Sequence, residues 1–196
     1  MTHGTKADTS CVQLPSQLST PGGAFACTSI AWHWVVAVLE NLVPARCSCA
    51  QYDIISASAV SAHQLLRHKL SAPGFLNCAE LAEYFEERHL RIAEFGIYSA
   101  DIDLEECMRR HAMHVDTVHS LIASPAEWTY ALLITHNEHT TALVSTADSV
   151  VLLDSLPATM HELRRTDLGF QKELKECLAR VLPSRGAEGT AMLVRK

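Results

Sequence analysis

The spacing of apolar residues changes character part-way along the chain. From Cys27 to Leu42, Ile30, Ala31, Trp34, Val35, Val38, Leu39 and Leu42 recur every three or four residues. That spacing predicts a helix with a wide buried stripe, ended by Pro44. Ile54 to Leu70 reads as a second helix with Ile54, Ile55, Ala62, Leu65 and Leu66 inward, broken by Pro73-Gly74. Asn77, followed three residues later by Glu80, predicts an N-cap and a helix over Cys78 to Leu90. A further short helix is expected over Asp103 to Ala112. After Pro125 the period shortens. Trp128 to Thr135, His139 to Ser145 and Ser149 to Leu153 are short, β-branched and apolar. They predict three adjacent antiparallel strands, the last two joined as a hairpin across Thr146-Ala147-Asp148. Helical spacing returns over Asp167 to Leu182, and Ala191 to Val194 is a candidate closing strand.

Helices first and a sheet second predict an α+β fold, with the N-terminal helices packed on a C-terminal antiparallel sheet. At 196 residues, with 48% hydrophobic residues and no long linker, the chain reads as one domain over 1–196. Residues 1–22, rich in Ser, Thr and Gln and carrying Pro15 and Pro21, read as an extended N-terminal arm. A net charge of −6 argues against nucleic acid and against an anionic membrane surface as the partner. No apolar run is long enough for a membrane span, and no signal peptide is read at the start. Seven cysteines without such a signal suggest free thiols in a reducing compartment, cytoplasmic or nuclear.

Cys27 opens the most apolar helix, behind Pro21-Gly22-Gly23-Ala24-Phe25-Ala26. Unpaired N–H groups and the positive end of the helix dipole favour a thiolate there. An imidazole beside it would lower its pKa further and serve as general acid. His139 opens one strand of the expected hairpin and Asp154 closes the other, so both fall at the same edge of the sheet. A carboxylate holding one ring nitrogen aims the other at the thiol. Cys27, His139 and Asp154 are therefore the candidate catalytic residues.

Ala-Cys-Thr-Ser-Ile-Ala around Cys27, His-Thr-Thr-Ala-Leu-Val from His139 and Val-Leu-Leu-Asp-Ser around Asp154 resemble the papain-fold cysteine peptidases. Within that fold they are similar to compact deubiquitinases, of the Josephin type or of the herpesvirus large tegument protein group. The resemblance covers about residues 22–42 and 130–156. It departs where Asn137-Glu138 replaces the usual Gly before the His. It departs again where Asp154-Ser155-Leu156 lacks the Asp-x-His pair of the herpesvirus group, so that His139 must serve. The resemblance implies a papain-like catalytic domain that cleaves ubiquitin or a ubiquitin-like modifier from conjugates without a cofactor. It also implies a side-chain amide upstream of the nucleophile in the oxyanion hole, with Gln13 and Gln17 as the candidates. Alternatives are a general papain-like peptidase or acyltransferase effector, or an inactive papain-like binding module.

Other motifs carry less. Cys47-Ser48-Cys49 lacks a second ligand pair at zinc spacing, and His111, His114 and His119 lack an acidic partner, so no metal is expected. Trp32, Trp34 and Trp128 are candidate core or cleft-wall residues. Ser29 and Ser155 sit in no nucleophile elbow, and no phosphate-binding glycine motif occurs.

Overall fold

The computed structural model describes residues 11–19, 23–70, 76–84, 90–98, 104–110, 112–125, 127–156, 158–183 and 188–196. Its first large element is α1 (Cys27–Leu39), whose apolar run is buried on nearly every side. Against it lies α2 (Cys49–Leu70), which starts five residues before the expected point. The inward face of α2 is also not the one the apolar pattern selects. Ile54 is 72% and Leu65 68% exposed, whereas Tyr52, Ile55, Ser56, Ala59, Val60, His63 and Leu66 are buried. Two inward positions, Ser56 and His63, are polar, and His63 bonds across the helix pair. His63 Nδ1 lies 3.1 Å from Ser29 Oγ on α1, and burial, with the Arg67 charge, pushes the His63 imidazole down to about 4. A neutral, hydrogen-bonded His can occupy a core position that a pattern of apolar residues assigns to solvent.

The capping expectation holds at α3 (Cys78–Tyr84). The Asn77 N–H donates to Glu80 Oε2 at 2.7 Å, and the Glu80 N–H donates to Asn77 Oδ1 at 2.8 Å, a reciprocal capping box. Of the rest of the expected helix, residues 85–89 lie outside the described residues and Leu90 is not helical.

The strands are β1 (Cys11–Gln13), β2 (Arg91–Tyr98), β3 (Ala112–His114), β4 (Tyr130–His136), β5 (His139–Ser145), β6 (Ser149–Asp154), β7 (Thr159–Arg164) and β8 (Glu188–Arg195). They form one sheet in the order β1-β7-β6-β5-β4-β8-β2-β3, antiparallel except for the β2–β3 pair. The short helices α4 (Leu104–Arg109) and α5 (Val115–Ala123) flank β3, and α6 (Phe170–Val181) precedes β8. The closing strand is thus not at an edge. β8 sits inside the sheet, paired along both sides with β4 and β2. Helices α1, α2 and α3 cover one face over Ala131, Leu133, Ala142, Val144, Val151 and Leu153. Helices α5 and α6 cover the other over Leu132, Ile134, Leu143, Val150, Leu152 and Leu163. Burial on both faces explains why β4, β5 and β6 read as continuous apolar runs rather than alternating ones.

Part of the expected arm is built into this sheet. Cys11–Gln13 pairs with β7, the Leu14 N–H donates to the Ala158 carbonyl, and Leu14 and Gln17 are buried. Residues 1–10 and 20–22 lie outside the described residues. Among the described residues no helix is long and apolar enough to cross a membrane.

Candidate active site

The β4–β5 connection has two residues, Asn137 and Glu138, between the paired residues His136 and His139. Both have left-handed backbones, φ 50° and φ 60°. Positive φ at both positions is the hallmark of the type I′ hairpin turn, whose twist matches that of the strands it joins. This is where the resemblance led one to expect Gly. The turn keeps its shape without Gly, and Glu138 bears the steric cost of its Cβ.

That turn delivers His139 to the end of the sheet nearest α1. Register pairs Ala142 with Leu153, so Asp154 at the end of β6 lies diagonal to His139 on the same face. His139 Nε2 lies 2.7 Å from Asp154 Oδ1. The same carboxylate oxygen accepts the Leu156 N–H at 3.2 Å, which fixes it from the following turn. Nδ1 is left as the ring nitrogen for the thiol.

Cys27 is the first residue of α1, and no side chain caps this helix N-terminus. Its Sγ lies 3.8 Å from the Glu138 carbonyl and 3.9 Å from Thr28 Oγ1. Burial pushes the Cys27 thiol up, but the His139 imidazole, the Thr140 backbone N–H and the Thr28 hydroxyl outweigh it, and the net shift is downward. The Asp154 carboxylate first, then the Cys27 sulfur, push the His139 imidazole up to about 9 against its own burial. The two shifts have the signs of a thiolate–imidazolium pair. The other shifted thiols move the opposite way: burial raises Cys47 to about 11 and Cys78 to about 12.

The two amide candidates differ. Gln13, on the edge strand β1, donates Nε2–H to the Ala158 carbonyl at 3.0 Å. Gln17 is buried, and its Oε1 accepts from Ser155 Oγ at 2.8 Å. It lies on a 3₁₀ turn (Gln17–Ser19) packed against a second one (Gly23–Phe25), which leads through Ala26 into Cys27. Ser155, read in the sequence as a poorly placed nucleophile, is a buried anchor for Gln17 instead.

The remaining candidates fall elsewhere. Trp32 and Trp34 are buried in the core. Trp128 is exposed, at the far end of β4, and with Leu121, Tyr130, Leu193 and Arg195 it lines a cavity of about 450 Å³. Six strand residues at ~3.3 Å each put that cavity roughly 20 Å from the His136–His139 turn. His33 Nδ1–H donates to the Ser29 carbonyl at 2.8 Å, within its own helix. Among the described residues no group of three or more His, Cys, Asp or Glu side chains could hold a metal ion.

No protein-family model matches the chain, and no curated protein matches it in sequence. Solved structures do match in shape. The ubiquitin-specific protease encoded by murine cytomegalovirus tegument protein M48, determined in complex with a ubiquitin-based suicide substrate, superposes with a TM-score of 0.67 at 12% identity. The match covers 94% of this chain and 84% of that one. The fold is papain-like. A second, more distant match is the Pseudomonas avirulence protein AvrPphB, with a TM-score of 0.49 at 13% identity over 87% of this chain and 92% of that one. In the papain-like frame the α1 N-terminus and the start of β5 are the two elements that meet at the Cys27 thiol. Sequence reading missed a set of residues around that meeting point. The hydroxyls of Thr28, Thr135 and Thr140 pack behind the thiol, and no spacing rule singles out a buried threonine.

Proposed function

We propose that the protein is a cysteine peptidase that releases ubiquitin or a ubiquitin-like modifier, with Cys27 as nucleophile, His139 as general acid and base, and Asp154 as the residue that orients His139. The observation that carries the reading is the 2.7 Å His139–Asp154 bond behind a buried thiol whose ionisation is favoured despite its burial. Gln17 is the better oxyanion donor of the two glutamines. Its carbonyl oxygen is taken by Ser155, which turns the amide N–H groups to other partners, whereas the Gln13 amide donates to Ala158.

In this reading the Cys27 thiolate attacks the carbonyl carbon of the scissile bond, and the carbonyl π electrons move onto oxygen. The Cys27 backbone N–H and the Gln17 amide donate to that oxyanion. As the tetrahedral intermediate collapses, the C–N bond breaks, and the His139 imidazolium gives its proton to the departing amine. The acyl group remains on Cys27 as a thioester. Neutral His139 then takes a proton from water, the resulting hydroxide equivalent attacks the thioester, and the carboxylic acid leaves as the thiolate reforms. Asp154 keeps the ring in one orientation through both halves.

The ubiquitin assignment is supported by the sequence resemblance and by the fold shared with a protease captured on a ubiquitin-based substrate. A ubiquitin bearing a C-terminal electrophile tests it. Single-site labelling at Cys27, lost in Cys27→Ala, is the expected result. Labelling of Cys27 by iodoacetamide but by no ubiquitin or ubiquitin-like probe would keep the peptidase and remove the modifier. Reaction with neither would leave a papain-like binding module.

A further inference from the structure

Behind the Cys27 thiol a file of side chains crosses four elements. Thr28 Oγ1 on α1 lies 3.9 Å from Cys27 Sγ and 2.8 Å from Thr140 Oγ1 on β5. Thr140 Oγ1 lies 2.9 Å from Thr135 Oγ1, its cross-strand partner on β4. Thr135 Oγ1 lies 3.7 Å from Cys78 Sγ at the start of α3. Thr28, Thr140 and Cys78 are buried and Thr135 is half-buried, so water has little share in these contacts.

Proton counting gives the file a direction. Each hydroxyl has one proton to give. A Cys27 thiolate can only accept, so the Thr28 proton points at sulfur. Thr28 must then accept from Thr140, and Thr140 from Thr135. Thr135, its proton spent, is left accepting from the Cys78 S–H. Only a protonated thiol can hold that last position, and burial keeps Cys78 protonated, its thiol pushed up to about 12. With a neutral Cys27 the direction is not imposed, because its S–H has the Glu138 carbonyl at 3.8 Å to donate to. We propose that Thr28, Thr140 and Thr135, ending on the Cys78 thiol, are positioning residues that form a one-way hydrogen-bond relay onto the Cys27 thiolate and stabilise it. Bonds in such a chain polarise one another, and in a dry interior the effect is larger than in water. Thr140 has a second part in the relay, since it follows His139 on β5 and ties that strand to α1 through Thr28.

The relay rests on Cys27 being the nucleophile, so its test must separate the two claims. The measurement is the rate of Cys27 alkylation by iodoacetamide against pH, resolved by site in the intact protein, for the parent, Thr140→Val and Thr140→Ser. Thr140→Val keeps the shape and the backbone N–H but removes the middle hydroxyl. The midpoint of the acid limb should rise by about half to one pH unit, and alkylation below it should fall roughly three- to tenfold. The high-pH plateau should stand, and Thr140→Ser should track the parent. If Thr140→Val fails to fold, Cys78→Ala at the far end gives a smaller upward shift by the same readout. An unmoved midpoint in cooperatively folded variants overturns the relay alone. A high-pH plateau that falls as well also overturns it, since the substitution would then have changed access to the thiolate rather than its ionisation. A parent Cys27 that ionises no more readily than Cys47 overturns the nucleophile and the relay together.

Discussion

Among the described residues two helices begin with a buried cysteine, and they are built for opposite ends. Cys27 opens α1 and Cys78 opens α3, and the two residues are 1% and 5% exposed. Burial raises both thiols, and by burial alone they would be alike. At α3 the capping box of Asn77 and Glu80 closes the helix start, and nothing cationic offsets the burial, so the thiol stays protonated. At α1 no side chain caps the helix. His139, held by Asp154, is brought against the sulfur, and the sign of the shift reverses. A buried cysteine at a helix start is therefore not in itself an activated one. What separates the two is whether the helix end is left open and whether an imidazole is delivered from another element.

The comparison breaks hardest at His139. His139→Ala should make Cys27 resemble Cys78, with alkylation near pH 6 falling by about 10²-fold and hydrolysis by about 10²- to 10⁴-fold. Asp154→Asn should be milder in alkylation, on the order of tenfold, because the imidazole is still present though poorly aimed. Equal losses in both variants, measured by site-resolved alkylation, would mean that Asp154 does more than orient.

The next effect is on stability. The His139 imidazole is raised from an ordinary value of about 6.5 to about 9 in the folded protein. A group with a raised folded-state pKa contributes stability that is fully present below about pH 6.5 and is lost as the pH rises through about 9. The difference in thermal midpoint between the parent and His139→Ala should shrink across that window. A difference that stays constant from pH 6 to pH 10 would contradict the ion pair.

A smaller effect sharpens the comparison from the other helix. Asn77→Ala removes half of the capping box and should cost about 1 kcal/mol in chemical denaturation. It should leave the pH profile of Cys27 alkylation where it was. The smallest effect belongs to the strained turn at the α1 end. Glu138→Gly relieves a left-handed backbone at the cost of a more flexible unfolded chain, a net gain of about 0.5 kcal/mol. Equilibrium denaturation would detect it, and a loss of stability would show that the Glu138 side chain contributes more than strain.

Much of this arrangement was legible in the residues, though unevenly. The bounds of β5 and the Asn77–Glu80 cap follow directly from local pattern, because alternation and capping are local physics. The pairing of His139 with Asp154 was legible because a short hairpin fixes register within a few residues. The inward face of α2 was not, since His63 and Ser56 are buried there and a polarity rule turns them outward. Strands β2 and β7 were missed because their burial is irregular: β2 is mostly exposed or half-buried, and β7 has only the short β1 on its outer side. The central place of β8 and the threonine file depend on contacts between distant segments, which no window of neighbouring residues contains.

The insertion of β8 between β4 and β2 also makes assembly depend on contacts far apart in the chain. Its ladder with β2 joins Tyr98 to Glu188 and Arg91 to Arg195, partners 90 or more positions apart, and its other edge is matched to β4. Until that strand is in place, β2 and β4 each present a row of open N–H and C=O groups, the condition under which chains pair with the wrong neighbour. Helix α1 meets β5 across a still longer stretch, with Cys27 and Glu138 separated by 111 positions, so the Cys27–His139 meeting carries the same loop cost. Both contacts are of the slowest kind, since each must draw in a long loop before it gains any pairing. A chain of this topology should bring Cys27, His139 and the sheet that carries them together late, and its vulnerable moment is the interval before β8 is in place.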